Sequence, residues 1–231
     1  MQIKIDEKQK LVKNVFDPIA KKYDLLNHLL SFGIDIYWRK KSLSLTKISK
    51  DAHLLDVACG TGDFSISARK FGVSKITGLD LSFEMLKEFY KKSEWAKGNI
   101  VQGVAEKMPF AGDSFDNVTG GFGVRNFYDI KKGLEEFHRV LKPGGKATVL
   151  ELRLPKHKLF KLLYNLYFNK ILPVIGKLIS KNDVSYTYLP NSVALFDKQV
   201  KVDKILSEIG YKNIEIHKFT FGIVQCTIAE K

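Results

Sequence analysis

The sequence predicts an α/β protein built on an open, mostly parallel sheet with helices on both faces. Three observations lead to this fold class. Between residues 53 and 152, short apolar runs alternate with helical stretches, as in parallel strands joined by crossover helices. The first run ends in a glycine-containing turn. The last two runs of the chain lie too close together for a crossover helix, so they are expected to form an antiparallel hairpin at one edge of the sheet.

Composition limits the class of protein. The 231 residues are 45% hydrophobic and 27% charged, which suffices for one domain, or for one domain with an appended lid. The net charge of +13 favours polyanionic partners or an anionic membrane surface without choosing between them. The two cysteines exclude a disulfide scaffold, and the five histidines have no metal-ligand spacing, so no metal site is expected. The chain shows no signal-peptide core and no membrane-spanning run, which predicts a cytoplasmic protein.

Strands and helices follow from apolar periodicity. The predicted parallel strands are residues 54–58, 75–80, 99–103, 115–122 and 146–152. Helices are predicted over residues 62–72, from Ser82 with an apolar stripe at Phe83, Leu86, Phe89 and Tyr90, and over residues 129–141, where Pro143 and two glycines stop the helix. A helix over residues 202–209 leads into the hairpin strands, residues 214–219 and 222–229.

Two further segments are predicted to be helical. Residues 1–50 are partly amphipathic and interrupted by Pro18, and we interpret them as an N-terminal helical lid. Residues 51–231 then form the main domain. Within it, residues 156–190 form a helical insertion, rich in lysine and aromatic residues, before the last two strands.

The turn after the first strand predicts a nucleotide-like ligand. Asp56 stands in the strand, and Gly60 and Gly62 would let the backbone approach a ligand closely. Asp80 ends the second strand 20 residues after Gly60, where a carboxylate can accept hydrogen bonds from both ribose hydroxyls. In such sheets, ligands lie at the carboxyl ends of the strands. Together these features predict a nucleoside-containing cofactor.

Two cofactors compete for this turn. A dinucleotide fingerprint requires a third glycine, but that position is Ser65, and Asp63 would repel a pyrophosphate at the helix N-terminus. S-adenosylmethionine (SAM) has no phosphate and carries a cationic sulfonium, so it suits a loop bracketed by Asp56 and Asp63 better.

Longer motifs resemble one family. They are D-x-A-C-G-T-G-D-F, T-G-L-D-x-S-x-x-M-L, A-E-x-x-P-F, F-D-x-V-T-x-x-F-G-V-R-N and L-K-P-G-G. With the opening segments at residues 15–27 and 30–39, the segment Y-x-Y-L-P-x-S at residues 186–192 and the closing G-I-V at Gly222, the sequence resembles the ubiquinone/menaquinone biosynthesis C-methyltransferases. The resemblance covers nearly the whole chain. It implies a class I methyltransferase fold, a Rossmann-like open sheet, with SAM as cofactor.

The resemblance also implies roles for residues at the cofactor end. Thr61 and Asp80 would contact the cofactor, Val104 and Ala105 would lie along the adenine, and Gly121 would lie nearby. With the turn and strand-end residues, the expected cofactor site is Asp56, Gly60, Thr61, Gly62, Asp80, Leu81, Val104, Ala105 and Gly121. Members of the family commonly carry Asp or Asn where this chain has Val104. The adenine contact is therefore expected from backbone or from Glu106.

The family's reaction is methyl transfer to a ring carbon of a prenylated hydroquinone. It needs orientation of the ring and help in losing a phenolic proton. We expect Arg125 to stabilise a phenolate or position a water, and Asn126 to hold a quinol oxygen. The expected substrate contacts are Phe122, Tyr23 and Asn27. The competing interpretations are a salt bridge from Arg125 to a helix carboxylate such as Asp129, and helix packing for Tyr23 and Asn27.

The insertion suggests a further role. Leucines 159, 162, 163 and 166 interleave with Phe160, Tyr164, Tyr167 and Phe168. Such a helix could be core, could line a tunnel for a prenyl tail, or could rest on lipid. The flanking lysines 156, 158, 161, 170, 177 and 181 suit peripheral contact with the inner, anionic face of the cytoplasmic membrane.

Other functions remain open at this point. One is a methyltransferase acting on nucleic acid or on another small molecule, although basic residues are spread along the chain rather than gathered in one arm. Another is a non-catalytic SAM-binding subunit of a quinone-synthesis complex. Specific nucleic-acid binding is not expected, and a homo-oligomer stays open.

Overall fold

The computed structural model describes residues 5–167 and 183–231. Seven strands form one sheet: β1 (His53–Val57), β2 (Lys75–Asp80), β3 (Ile100–Gln102), β4 (Phe115–Gly121), β5 (Leu141–Leu152), β6 (Lys212–Phe219) and β7 (Val224–Glu230). Their order across the sheet is β3-β2-β1-β4-β5-β7-β6. The neighbours from β3 to β5 are parallel, and β7 is antiparallel to both β5 and β6. The predicted mostly parallel sheet and the hairpin of the last two strands are confirmed, with β7 next to the outermost strand β6.

The helices are α1 (Ile5–Phe16), α2 (Tyr23–Leu30), α3 (Ile34–Thr46), α4 (Asp63–Phe71), α5 (Phe83–Lys92), α6 (Ile130–Val140), α7 (Lys158–Leu166), α8 (Asp183–Gln199) and α9 (Val202–Ile209). A 3-10 turn over Asp17–Lys22, which contains Pro18, separates α1 from α2. The predicted break at Pro18 is therefore confirmed. As predicted, α5 begins at Ser82, which is its N-cap: the Ser82 hydroxyl accepts a hydrogen bond from the Met85 N–H at 3.1 Å.

Alternation along the strands divides the core into two layers. On β5, Ala147 and Val149 pack with α6 and α9 on one face, whereas Leu150 packs with α3 and α4 on the other. On β1, Leu55 and Leu54 divide in the same way. This period of two in a doubly covered sheet is what places helices on both faces.

Two local predictions are wrong. Phe83 is 52% exposed, because Met85, Leu86 and Phe89 form the buried face of α5 and Phe83, in the first turn, lies outside that face. The fifth strand begins at Leu141 rather than at Lys146. Leu141 pairs with Phe115 and Lys146 pairs with Asn117, so residues 142–145 form an irregularity within the ladder, with Gly144 at φ +75°.

The proposed domain boundaries stay predictions. Helix α3 lies inside the predicted lid, residues 1–50, yet Trp38 and Leu43 pack in the same core layer as α4 and the sheet. Within the predicted insertion 156–190, α7 is present, and α8 runs past residue 190 with Pro190 inside it. Residues 168–182, which include Phe168 and lysines 170, 177 and 181, lie outside the described residues.

Candidate active site

A cleft lies at the carboxyl ends of β1, β2 and β4. Its volume, with the opening to solvent, is about 770 Å³. The N-terminal segment supplies one wall of this cleft through Phe16 and Tyr23. The predicted cofactor residues among its lining are Gly60, Asp80, Leu81, Val104, Ala105 and Gly121, and Phe122 and Asn126 also line it. We call this space the cofactor cleft.

Asp80 links two loops at the centre of the cofactor cleft. Its Oδ2 accepts a hydrogen bond from the Gly60 N–H at 2.7 Å, and its Oδ1 accepts one from the Ser82 N–H at 2.8 Å. Burial raises the pKa of the Asp80 carboxyl to about 6. The carboxylate therefore sits where the sequence predicted, fixed in orientation and facing the cleft.

The glycines of the turn have different roles. Gly60 has φ +54°, and a Cβ built there would meet no atom within 4 Å, so backbone beside open space remains for a ligand. Gly62 has φ +85° and is the N-cap of α4. A Cβ built on Gly62 would lie 2.2 Å from the ring of Phe89, which is fully buried. Gly62 is required by packing, whereas Gly60 shapes the cleft.

We expect Gly62→Ala to lower the free energy of unfolding by about 3–5 kcal/mol, because left-handed strain adds to a clash with an immobile ring. Gly60→Ala carries only the strain and should cost about 1–2 kcal/mol. Urea unfolding of both variants measures the difference. Equal losses in the two variants would contradict this division of roles.

Asp56, Thr61 and Gly62 are not among the described residues that line the cofactor cleft. Asp56 is 1% exposed and lies beneath the turn, where it accepts hydrogen bonds from the hydroxyls of Ser65 at 2.6 Å and Thr119 at 3.2 Å. Burial raises its pKa to about 6. The Thr61 hydroxyl donates to Asp24 of α2. In this structure, then, Asp56 supports the turn and Thr61 holds the N-terminal segment; direct cofactor contacts by these residues stay predictions.

Glu106 stands at the end of the cleft predicted to hold adenine. The side chain is 3% exposed, and its Oε1 accepts hydrogen bonds from the N–H groups of Tyr128 at 2.7 Å and Asp129 at 3.2 Å. Burial raises the pKa of Glu106. Since Glu106 lines the cleft beside Val104 and Ala105, it remains a candidate partner for an amino group, as the sequence suggested.

The N-terminal segment is fastened to three separate loops at the carboxyl edge of the sheet. Lys8 Nζ donates to the carbonyl of Phe127, after β4. Asp17 accepts from the Ser82 hydroxyl, after β2, and Asp24 accepts from Thr61, after β1. The sequence predicted none of these three contacts, because they join residues distant in the chain. It marked Thr61, but as a cofactor residue.

A second, larger cleft of about 1240 Å³, again including its opening, adjoins the first. Its lining is mainly apolar and aromatic, with residues from α2, α3, α7 and the end of β5. Tyr23 and Phe122 line both clefts, so the two spaces meet at these side chains. Asn27 and Arg125 line the second cleft, as do Phe160, Tyr164 and Tyr167. We call it the apolar cleft.

Arg125 is 7% exposed and is held by Glu151 of β5. Its Nη1 donates to Glu151 Oε2 at 2.8 Å and to the carbonyl of Phe122. Burial by itself would lower the pKa of Arg125, but neighbouring charges, with Glu151 first among them, outweigh burial and raise it. The salt bridge to Asp129 considered in the sequence is therefore wrong: Asp129 instead caps α6 by accepting from the Lys132 N–H at 3.0 Å.

Asn126 and Tyr23 complete the junction of the clefts. Asn126 Oδ1 accepts a hydrogen bond from the Tyr188 hydroxyl at 3.0 Å. Tyr23 is hydrogen-bonded to Asn27, and burial raises its pKa. Tyr188 belongs to the Y-x-Y-L-P-x-S segment, so the resemblance offered a signal for it. For Glu151, the only signal was a lone carboxylate in an apolar strand.

A charged network ties α2 to α3, α4 and α5. His28 Nδ1 lies 2.9 Å from Asp35 Oδ2, and His28 Nε2 lies 3.7 Å from Asp63 Oδ2. Arg39 also pairs with both carboxylates, and Lys92 Nζ bonds to Asp63 at 2.8 Å and to Asp24 at 2.7 Å. The ligand atoms of His28, Asp35 and Asp63 lie within 4.8 Å of one another, but two basic side chains already neutralise the carboxylates.

The cofactor cleft suits SAM on its own geometry. Open space beside Gly60, an oriented carboxylate at Asp80 and an apolar floor at Val104 and Ala105 match a ribose and a flat base. The cleft lies at the carboxyl ends of the strands in an open α/β sheet, where such folds bind their ligands. The chain is a SAM-dependent methyltransferase of class I.

Comparison with known proteins places it more narrowly. The sequence model of the ubiE/COQ5 methyltransferase family matches residues 3–231, and the chain belongs to that family. It is 47% identical to the demethylmenaquinone methyltransferase of Chlorobaculum parvum, over 95% of this chain and 92% of that protein. It is 45% identical to the ubiquinone/menaquinone biosynthesis C-methyltransferase UbiE of Geotalea daltonii, over 99% of each chain.

A solved structure supports the fold. The crystal structure of a SAM-dependent methyltransferase from Thermotoga maritima matches with a TM-score of 0.63, at 16% sequence identity, over 94% of this chain and 99% of that chain. The predicted class I methyltransferase fold is thereby confirmed. Among residues 5–167 and 183–231, no helix is both long enough and apolar enough to cross a membrane.

Proposed function

We propose that the protein transfers the methyl group of SAM to a ring carbon of a prenylated hydroquinone, converting demethylmenaquinol to menaquinol, acting in ubiquinone biosynthesis, or both. The observation that carries this proposal is the junction of the two clefts at Tyr23 and Phe122. A polar cofactor on one side and a prenylated ring on the other would meet there. The names of the relatives above support the same substrate class.

The residues at the junction suit the chemistry. Bound SAM supplies an electrophilic methyl group. Arg125, buried and positively charged, would stabilise negative charge on the phenolic oxygen and so make the neighbouring ring carbon more nucleophilic. An arginine that stays protonated is a poor base, so water would take the proton that leaves. Because Asn126 Oδ1 is occupied by Tyr188, the amide N–H₂ group would donate to a quinol oxygen.

We also propose that the N-terminal segment acts as a lid over the cofactor cleft, as predicted for residues 1–50. Its bonds to the loops after β1, β2 and β4 would keep water out of the cofactor cleft during transfer. Ordering this segment on the sheet costs conformational entropy, and contacts with a bound ligand would offset that cost.

The test is an assay with purified protein, SAM and chemically reduced demethylmenaquinol, with mass spectrometry of the product. A gain of one methyl group on the naphthoquinol ring is expected, and a demethylated benzoquinol in parallel reveals the preferred ring. Quinone profiling of cells that lack the gene should show a quinone one methyl group lighter. An unchanged quinone pool together with no product in vitro would contradict the proposal. SAM binding without turnover on either ring would favour the non-catalytic subunit.

We further propose that the mouth of the apolar cleft rests on an anionic membrane surface. On α7, Phe160 and Tyr164 line the cleft, whereas Leu159, Leu162 and Leu166 are 56%, 65% and 52% exposed. Aromatic side chains continue this apolar surface: Phe32, which lines the cleft, is 79% exposed, and Phe221, 69% exposed, stacks on Phe160 at 4.0 Å. A long prenyl tail would enter from lipid without crossing water.

Charge supports the same surface. Lys158 and Lys161 are exposed on α7 itself, and Lys156 is exposed just before it. Each basic residue near an anionic surface contributes about 1 kcal/mol at best, so three of them give modest, salt-sensitive binding. The exposed leucines would add apolar contact.

We expect the protein to float with vesicles that contain phosphatidylglycerol and to float less with pure phosphatidylcholine. Leu162→Glu should reduce the floating fraction, because it buries a charge at the lipid boundary. Leu195→Glu, on α8 at a residue that is 57% exposed, is the matched control. Equal recovery from both kinds of vesicle, or an equal loss of the floating fraction in both variants, would contradict this proposal of membrane contact.

A further inference from the structure

We propose that Glu151 is a positioning residue for methyl transfer, acting through Arg125; this inference rests on the proposed function. Glu151 lies on β5 between Leu150 and Leu152 and is 1% exposed, in a strand whose other side chains at this point are apolar. It touches neither the cofactor cleft nor the apolar cleft among the described lining residues. Whatever Glu151 contributes to the reaction must therefore pass through its partner.

The geometry is a clamp on one residue. Glu151 Oε1 accepts a hydrogen bond from the backbone N–H of Arg125 at 3.1 Å, and Glu151 Oε2 accepts one from Arg125 Nη1 at 2.8 Å. The same carboxylate thus holds the backbone and the guanidinium of Arg125. Oε2 also accepts from the Leu152 N–H at 3.1 Å, which anchors the carboxylate to its own strand.

The clamp uses only Nη1 of the guanidinium, so Nη2 and Nε make no hydrogen bond in the described part of the chain, and of these two Nε is the buried one. Arg125 Nη1 is used by Glu151 and by the Phe122 carbonyl, whereas Arg125 Nε is buried and has no hydrogen-bond partner in the described part of the chain. Buried donors without a partner are rare and call for an explanation. Since Arg125 lines the apolar cleft, an oxygen of a bound quinol would be the partner that this Nε–H lacks. Glu151 would fix the guanidinium so that this donor faces a quinol oxygen.

Stability alone does not explain the pair. A buried ion pair is often no more stabilising than apolar residues of similar volume, and the strand around Glu151 is already apolar. The clamp also fixes the backbone of the turn Val124–Asn126, so it sets the position of Asn126 in the cofactor cleft as well. A single carboxylate would therefore orient the polar groups on both sides of the junction.

The first test is Glu151→Gln. An amide has only one acceptor oxygen, so it cannot accept from both Arg125 donors through separate oxygens as the carboxylate does. We expect kcat with the reduced quinol to fall about 30-fold or more, as for loss of an oriented charge-stabilising group, while the Kd for SAM, measured by calorimetry, stays within about threefold. Glu151→Asp keeps the charge and should recover part of kcat. A normal kcat in Glu151→Gln would overturn the proposal.

Coupling to Arg125 separates positioning from a merely structural role. In an Arg125→Lys background, Glu151→Gln should cause a smaller further loss of kcat than in the wild-type protein, because the guanidinium that Glu151 positions is gone and only its bond to the backbone N–H of residue 125 remains. Losses that multiply in the double variant would overturn the proposal, since they would mean that Glu151 acts independently of Arg125.

A readout without substrate keeps this test apart from the proposed function. The Arg125 Nε–H signal in ¹⁵N NMR, assigned by its loss in Arg125→Lys, should be a single sharp line in the wild-type protein and broadened or lost in Glu151→Gln. If the wild-type protein methylates no quinol, the proposed function fails, but this signal still tests whether Glu151 fixes the Arg125 guanidinium. An unchanged signal in Glu151→Gln would overturn the clamp.

Discussion

Replacing Asp80 by alanine is expected to weaken SAM binding at least about 100-fold, as measured by calorimetry. The carboxylate would accept both ribose hydroxyls, and hydrogen bonds to a charged group contribute about 1.5–3 kcal/mol each. It also holds Gly60 and Ser82, so its loss would loosen both loops that form the cleft. Glu94→Ala, at a carboxylate whose side chain is 90% exposed, is the control and should bind SAM normally.

The same residue is expected to give SAM binding a pH dependence. Burial raises the pKa of Asp80 to about 6, so the carboxyl is ionised above that pH and protonated below it. Only the ionised form can accept from both ribose hydroxyls. Affinity should therefore be constant above the pKa and fall by up to about tenfold per pH unit below it. Asp80→Asn removes the titration, and its weaker affinity should be flat over this range. A wild-type affinity that is flat between pH 5 and pH 7, about one unit on either side of the pKa, would contradict a role for the ionised carboxylate.

Arg125→Lys should lower kcat by about 100- to 1000-fold while leaving the Kd for SAM within about threefold. Lysine keeps a positive charge beside Glu151 but has no Nε–H and no planar guanidinium. Arg125→Ala is the less informative variant, because it leaves the Glu151 carboxylate buried without its partner, which costs about 3–5 kcal/mol of stability.

The control for Arg125→Lys is Arg69→Lys, an exposed arginine on α4 whose guanidinium lies over Trp95. It should leave both kcat and SAM binding unchanged. Normal turnover in Arg125→Lys would show that the guanidinium is not needed for methyl transfer. A matching loss of SAM affinity would mean that Arg125 supports the cofactor cleft instead.

Local sequence determined much of the scaffold. The cap at Ser82 and the break at Pro18 depend on neighbouring residues, so periodicity and capping rules found them. The hairpin of β6 and β7 followed from the short distance between two strands, and Asp80 followed from its place at the end of β2. Each of these features is encoded within a few residues along the chain.

Tertiary structure decided the contacts that give the site its chemistry. Glu151 lies 26 residues from Arg125, Asp24 lies 37 from Thr61, and Tyr188 lies 62 from Asn126. No local rule selects one carboxylate or hydroxyl among the many along the chain. The partner is fixed only when packing brings distant strands and helices together and leaves each buried polar group with the few neighbours within reach.

For the same reason, two interpretations of the sequence are wrong: the competing one that paired Arg125 with Asp129, four residues away, and the one that placed Phe83 on the buried face of α5. Helical spacing favours both assignments, but the carboxylate of Asp129 is used at the N-terminus of α6, and Met85 fills the buried face instead. The sequence by itself determined the fold, the family and the position of the Asp80 carboxylate at the end of β2, since these depend on local pattern. Only the packed structure decided which charges are paired and where the two clefts meet, because burial makes an unpaired polar group costly and so selects its partner.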